Sequence, residues 1–317
     1  MHPYLKLIRY PNLVIIVLTQ YLMRWGIIDP MLEVNHFELQ MDAFHFFLLV
    51  LSTVTITAGG YVINDYFDTH TDLLNKPRQV LVGTTIHRRF AMILHIILNV
   101  FGVGLGFYIS FHVGIPYLGF VFLLVVGLLW FYSTTYKRQF LVGNLMVALL
   151  TAIVPLMVPI FEIPLLNAAY RQVMIENQMN FMYILYWVLA FSFFAFLTNF
   201  IREIIKDMED FEGDRVYGRK SLPVVLGTKT TKLVVHVLLL ATLTGLIFAW
   251  FEYLGDTITL VYFLLFLWLP LLFLIFKTIK ADDKQDFHLI SQILKIVMLF
   301  GVLYALVARY IIQTQLL

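Results

Sequence analysis

The stretch Asn64-Asp65-Tyr66-Phe67-Asp68-Thr69-His70-Thr71-Asp72 follows directly on an apolar run that begins near residue 43. A second stretch, Asp207-Met208-Glu209-Asp210-Phe211-Glu212-Gly213-Asp214, follows on another that begins near residue 181. Counted from the first aspartate of each, carboxylates fall at i, i+3 and i+7: Asp65, Asp68 and Asp72 in one, Asp207, Asp210 and Asp214 in the other. On a helix that spacing projects all three from one face, within roughly a quarter turn. Membrane insertion does not ask for such an arrangement. Carboxylates in or beside a bilayer are expensive, and six aligned ones repel one another unless a cation sits among them.

The rest of the chain is nearly all membrane span. Of 317 residues 61% are hydrophobic and 13% charged, which excludes a soluble globular domain and predicts an all-α polytopic membrane protein. At about 20 apolar residues per crossing, nine spans are expected, near 12–33, 43–64, 91–110, 115–133, 141–161, 181–204, 233–252, 257–277 and 289–312. Together they make one transmembrane domain over residues 1–317. The first run is too long for a signal-peptide core and lacks a small-residue cleavage site, so it is read as a span. Cysteine is absent, which removes disulfides, thiolate ligands and a cysteine nucleophile. Any bound metal then uses oxygen or imidazole.

The net charge of +2 decides little, but its distribution decides the orientation. Lys6 and Arg9 precede span one, Arg88 and Arg89 follow span two, Lys137 and Arg138 follow span four, and basic residues recur after spans six and eight. The opposite loops hold Glu33, Glu38, Asp42, Glu162, Glu176, Glu252 and Asp256 against the single base Arg171. The positive-inside rule therefore expects the N-terminus and both acidic clusters in the cytoplasm, and the chain in the cell's inner membrane. Arg24, inside span one, is expected to snorkel outward.

The clusters also read as a duplication. Each aspartate of the second lies 142 positions after its counterpart in the first, and Val80-Leu81-Val82-Gly83-Thr84 is echoed 144 positions on by Val224-Val225-Leu226-Gly227-Thr228. A repeat of four spans preserves sidedness and brings the two cluster-bearing helices face to face, with the ninth span as an addition. Hard divalent cations take oxygen ligands, and Mg²⁺ keeps positions open for water and phosphate oxygens. Paired aspartate faces thus suit a diphosphate. Lys76, Arg78 and Lys137, with Arg215, Arg219 and Lys220, are candidates to neutralise the remaining phosphate charge. The histidines His45, His95 and His112 show no paired metal spacing.

These residues resemble a known family. Asn64 to Asp72 fits Asn-Asp-x-x-Asp-x-x-x-Asp, and Arg202-Glu203-Ile204-Ile205-Lys206-Asp207 to Asp214, followed by Gly218-Arg219-Lys220-Ser221-Leu222-Pro223, is similar to the second signature of the UbiA superfamily of intramembrane prenyltransferases. The resemblance covers the whole chain, including Asn75-Lys76-Pro77, Tyr132-Ser133 to Lys137, and Gly143-Asn144. It implies a lipid-open central cavity where Mg²⁺, held by Asp65, Asp68, Asp72, Asp207, Asp210 and Asp214, grips an isoprenyl diphosphate donor. Ionisation of the donor then lets a membrane-dissolved acceptor capture the allylic cation. Asn64, Lys76, Arg78, Tyr132, Lys137, Asn199 and Glu203 are carried over as substrate-binding residues. Asn199 and Glu203 share the helical face of Asp207, and Asn12 is a further candidate to reach the cavity. The family pattern often places an Arg-Pro pair after the first cluster, where this chain reads Pro77-Arg78.

The form Arg-Glu-x-x-Lys-Asp-x-Glu-Asp-x-Glu-Gly-Asp looks most like the ether-lipid branch, whose acceptor is geranylgeranylglycerol phosphate. An aromatic or quinone-precursor acceptor is the alternative within the family, and a cation transporter the alternative outside it. Neither nucleic acid nor a required protein partner is expected; the surroundings are the lipid bilayer.

Overall fold

The computed structural model describes residues 2–75 and 80–314. Among these residues the chain is helical without strands, and nine helices are long and apolar enough to cross a membrane. They are α1 Tyr10–Val34, α2 Ala43–Asn75, α3 Arg88–His112, α4 Pro116–Thr134, α5 Val142–Ala169, α6 Met182–Glu209, α7 Thr228–Leu254, α8 Thr257–Lys280 and α9 Lys284–Thr314. Several outrun the apolar windows that announce them. No glycine or proline interrupts residues 61–75, so α2 carries its helix through the whole first cluster.

Proline leaves local marks. It lacks an N–H and its ring crowds the preceding turn. In α1 the helix widens to a π turn over Met23–Ile28 ahead of Pro30, and in α8 over Leu264–Trp268 ahead of Pro270. Such a turn absorbs the missing hydrogen bond without ending the span. The main core lies where α1, α5, α6 and α9 meet, around Met23, Ile27, Phe161, Val188, Ile201 and Leu294, all buried. Beside it α2 packs along α3, where Ser52 Oγ donates to the Gly102 carbonyl at 2.7 Å. Small and hydroxylated residues permit that approach, since lipid offers no hydrophobic drive between helices.

At the end opposite the acidic clusters, two expectations are corrected. Arg24 does not snorkel: it is buried, donates to the Met41 carbonyl, and lies over the Phe46 ring at 4.4 Å. Glu162 is not a loop residue, because α5 continues to Ala169. Its carboxylate is buried and accepts from the Gln40 N–H at 2.5 Å and the Met41 N–H at 3.1 Å. One cation and one anion thereby satisfy the backbone of the loop between α1 and α2, whose polar groups have little water to turn to.

The echo between the two halves has a backbone signature. Gly83 and Gly227 both adopt positive φ, +85° and +80°. Each turns the chain between an acidic segment and the next span, α3 or α7. The intervening segments differ, for a turn closed by Gly83 N–H to Ile86 O at 2.8 Å serves the first half and a short helix, Leu222–Leu226, the second. Gly227, with ψ of 158°, occupies a region closed to residues that carry a β-carbon. Gly227→Ala is expected to destabilise the protein by about 2 kcal/mol, measured as a lowered midpoint of thermal unfolding in detergent.

Candidate active site

The first acidic set is built on one continuous helix. Asp65, Asp68 and Asp72 share a face of α2, as their spacing requires. Around them stand cations from three other segments. Arg9, in the left-handed conformation just ahead of α1, donates to Asp65 Oδ1 at 2.8 Å. Asp68 is buried and accepts two charges on Oδ1: Lys137 Nζ, 2.7 Å away, and the Arg219 guanidinium. Arg219 also donates to Thr71 Oγ1 at 3.2 Å and reaches Asp214 Oδ1 at 3.5 Å. A single side chain therefore joins the first cluster to the second.

The second set departs from the expected single helical face. Five carboxylates within residues 207–214, together with Gly213, weaken the helix, and α6 ends at Glu209. Asp210 sits at the break with φ −100° and ψ 12°, and Asp214 lies on a separate short helix, Phe211–Val216. Asp207 remains on α6 and accepts from Asn144 Nδ2 of α5 at 2.8 Å. Burial pushes the Asp214 carboxyl up to about 6 even with Arg219 beside it. Burial alone would lower Arg219, but Asp68 and Asp214 outweigh it and hold the guanidinium above its ordinary value. For Lys137 burial wins and lowers the ammonium despite Asp68.

The remaining sequence candidates differ in their surroundings. Tyr132 lies in electrostatic reach of Glu203, Asp68, Asp207 and Arg9, groups drawn from both clusters and the segment ahead of α1. Glu203 is buried and held by Lys206 at 2.9 Å and Arg202 at 3.4 Å. The Asn199 amide donates to Thr151 Oγ1 at 2.9 Å, a contact between α6 and α5. Lys76 and Arg78 lie outside the described residues. Asn12 accepts from Lys295 Nζ at 2.7 Å and faces the Tyr61 hydroxyl at 3.3 Å.

Sequence reading did not single out Arg9 as the partner of Asp65, or Arg219 above its basic neighbours; only spatial proximity marks them. It also missed that His45 and His112 stack with ring centroids 3.4 Å apart beside Asp42, far from the acidic sets at the other end of α2.

The donor set fits a hard divalent cation. It consists of carboxylates with no sulfur, and Asn64 Oδ1 beside them is buried without a hydrogen bond. A buried amide oxygen left unpaired is costly, and a ligand at this position relieves it.

A model of the UbiA prenyltransferase family matches residues 36–307. Among curated relatives, a digeranylgeranylglyceryl phosphate synthase of Methanothermobacter thermautotrophicus is 30% identical over 248 residues, covering 77% of this chain and 74% of that protein. One of Methanosphaera stadtmanae is 28% identical over 303 residues, covering 95% and 97%. The fold is similar to that of a solved structure from work on the biosynthesis of digeranylgeranylglyceryl phosphate synthase in membranes, with TM-score 0.60, 24% identity and 97% of each chain covered. It is also similar to a UbiA homologue from Archaeoglobus fulgidus bound to GPP and Mg²⁺, with TM-score 0.59, 16% identity, and 96% and 100% covered.

Removing the bridging cation leaves buried Asp68 and Asp214 with less compensation. Arg219→Gln is expected to lower stability by about 2 kcal/mol in chelator, and Mg²⁺ is expected to restore part of that loss. Thermal unfolding with and without Mg²⁺ measures both.

Proposed function

Because this chain belongs to the UbiA prenyltransferase family, we propose that it transfers a geranylgeranyl group from its diphosphate to geranylgeranylglycerol phosphate, with Mg²⁺ as cofactor. The enzyme is an integral membrane prenyltransferase; the acceptor, the metal and the residue roles are the proposal. The observation that carries it is the Arg219 contact with both Asp68 and Asp214, which supports a single site fed by both motifs. The names of the curated relatives support the acceptor. We read residues 1–317 as one domain, with this site on the cytoplasmic side of the cell's inner membrane.

In this reading Asp65, Asp68, Asp72, Asp207, Asp210 and Asp214 hold Mg²⁺, with Asn64 Oδ1 beside them. The bound metal supplies positive charge to the diphosphate as it leaves. Lys137 and Arg219, already inside the acidic site, add cationic donors to the same oxygens. Tyr132, within electrostatic reach of both clusters, is assigned to the reacting end of the donor. The allylic carbon–oxygen bond breaks, and the acceptor hydroxyl oxygen forms the new carbon–oxygen bond. Diphosphate and a proton are released. Apolar walls exclude water, which would otherwise capture the cation and waste the donor.

Purified protein given geranylgeranyl diphosphate, geranylgeranylglycerol phosphate and Mg²⁺ is expected to form the doubly alkylated product, seen by mass spectrometry of the lipid extract. Asp68→Asn and Asp207→Asn are each expected to reduce turnover at least about hundredfold, and chelation to abolish it. Full turnover in both variants, or activity without a divalent cation, contradicts the proposal. Because the chain has no cysteine, orientation is read directly: a cysteine at Gln139 is expected to label from the cytoplasm and one at Asn177 from the other side.

A further inference from the structure

Arg202, Lys206 and Lys295 stand beside the acidic site without belonging to it. Arg202 and Lys206 flank Glu203 on α6, at 3.4 Å and 2.9 Å. Lys295, partly buried on α9, donates to the neutral Asn12 oxygen at 2.7 Å, and the charges that act on it are Arg202 and Arg9, both positive. Cations therefore outnumber carboxylates here. Glu203 faces Arg202 and Lys206 and shares Arg9 with Asp65, and the other carboxylate of the seam, Glu209, is paired with His288 at 3.2 Å. A partly buried ammonium among like charges is unfavourable until an anion joins it.

A cavity of about 290 Å³ opens along the same seam between α6 and α9, lined by Arg202, Lys206, Ser291 and Gln292 and by one carboxylate, Glu209, which is paired with His288; Lys295 lies about one turn of α9 beyond Gln292. On α9, His288, Ser291, Gln292 and Lys295 follow one another at i, i+3, i+4 and i+7, which places them on one face. Lys206 and Asp207 are consecutive, so they diverge by about 100° around α6. The cationic seam and the proposed diphosphate site are thus neighbours around a single helix.

We infer that this seam holds the phosphate of the acceptor, a phosphate monoester on the glycerol of a single-chain ether lipid. The inference rests on the glyceryl phosphate acceptor proposed above. Arg202, Lys206 and Lys295 are the counter-ions of the phosphate, and Ser291 and Gln292 its neutral donors. A guanidinium and ammonium groups match a dianion that a neutral alcohol lacks. The hydroxyl to be alkylated is only a few bonds from that phosphate. Anchoring the phosphate on one face of α6 turns the hydroxyl toward the donor on the adjacent face. The seam thereby distinguishes a phosphorylated glycerol lipid from its alcohol and from an aromatic acceptor. Bulk anionic phospholipid carries related chemistry, and the test separates the two sources.

The full chain in lipid nanodiscs is assayed with geranylgeranylglycerol phosphate and with its dephosphorylated alcohol. Lys295→Gln and Arg202→Gln are each expected to raise the acceptor KM about tenfold while the donor KM stays within about twofold. The exposed Gln292→Ala, which threatens no core packing, is expected to raise acceptor KM about threefold. Each variant is expected to lose the wild-type preference for the phosphorylated acceptor by its own factor, equally in phosphatidylcholine and phosphatidylglycerol discs. An unchanged acceptor KM, an equal loss with the alcohol, or an equal rise in donor KM overturns the inference. An effect confined to phosphatidylglycerol discs also overturns it and assigns the seam to bulk lipid. If the wild type alkylates no glyceryl phosphate lipid at all, the acceptor assignment itself fails, an outcome distinct from any change among the variants.

Discussion

Buried carboxylate charge is the constraint on which the site depends. Asp68 and Asp214 lie out of water and close enough to share Arg219, so each needs the positive charge the other also uses. Lys137 from the segment after α4, Arg9 from ahead of α1 and Asn144 from α5 complete the compensation. Segments far apart in sequence are thereby committed to one corner of the molecule. Apolar packing among α1, α5, α6 and α9 supplies the scaffold, but it does not by itself say which helix ends must meet. The ion pairs do.

The same pairs separate a phosphate site from an ion path. A conduit for cations lines its route with acceptors and keeps positive side chains away from it. Here Lys137 and Arg219 sit directly on Asp68. Mixed charge of this kind suits a ligand that is itself anionic and that brings, or meets, a metal. The excess of cations along α6 and α9 extends that logic to a second anionic group next to the first.

Much of this was legible in the sequence, and the reasons are physical. Long apolar runs fix the number of spans because backbone groups inside a bilayer must pair within a helix or a closed sheet. The i, i+3, i+7 spacing announced the carboxylate face of α2 correctly. The second cluster was harder to read, since repulsion and Gly213 end α6 at Glu209, and a periodic pattern does not reveal where a helix stops. Arg24 looked like an outward snorkel because hydropathy treats span one alone. In three dimensions the Met41 carbonyl and the Phe46 ring claim it. Arg219 was one base among several in its loop, and Lys295 was one of the basic residues after span eight that marked topology. Their partners lie 151 and 283 residues away, at distances no local pattern encodes.

The Arg219 bridge has a consequence for timing. A guanidinium tethered beside Asp68 and Asp214 competes for them as an intramolecular partner, at an effective concentration no freely diffusing ion approaches. Under the proposed function, carboxylates vacated by a spent diphosphate and its metal would already have a replacement counter-ion within reach. Product release would then expose no naked charge, and the emptied protein would wait for the next lipid in a neutralised state.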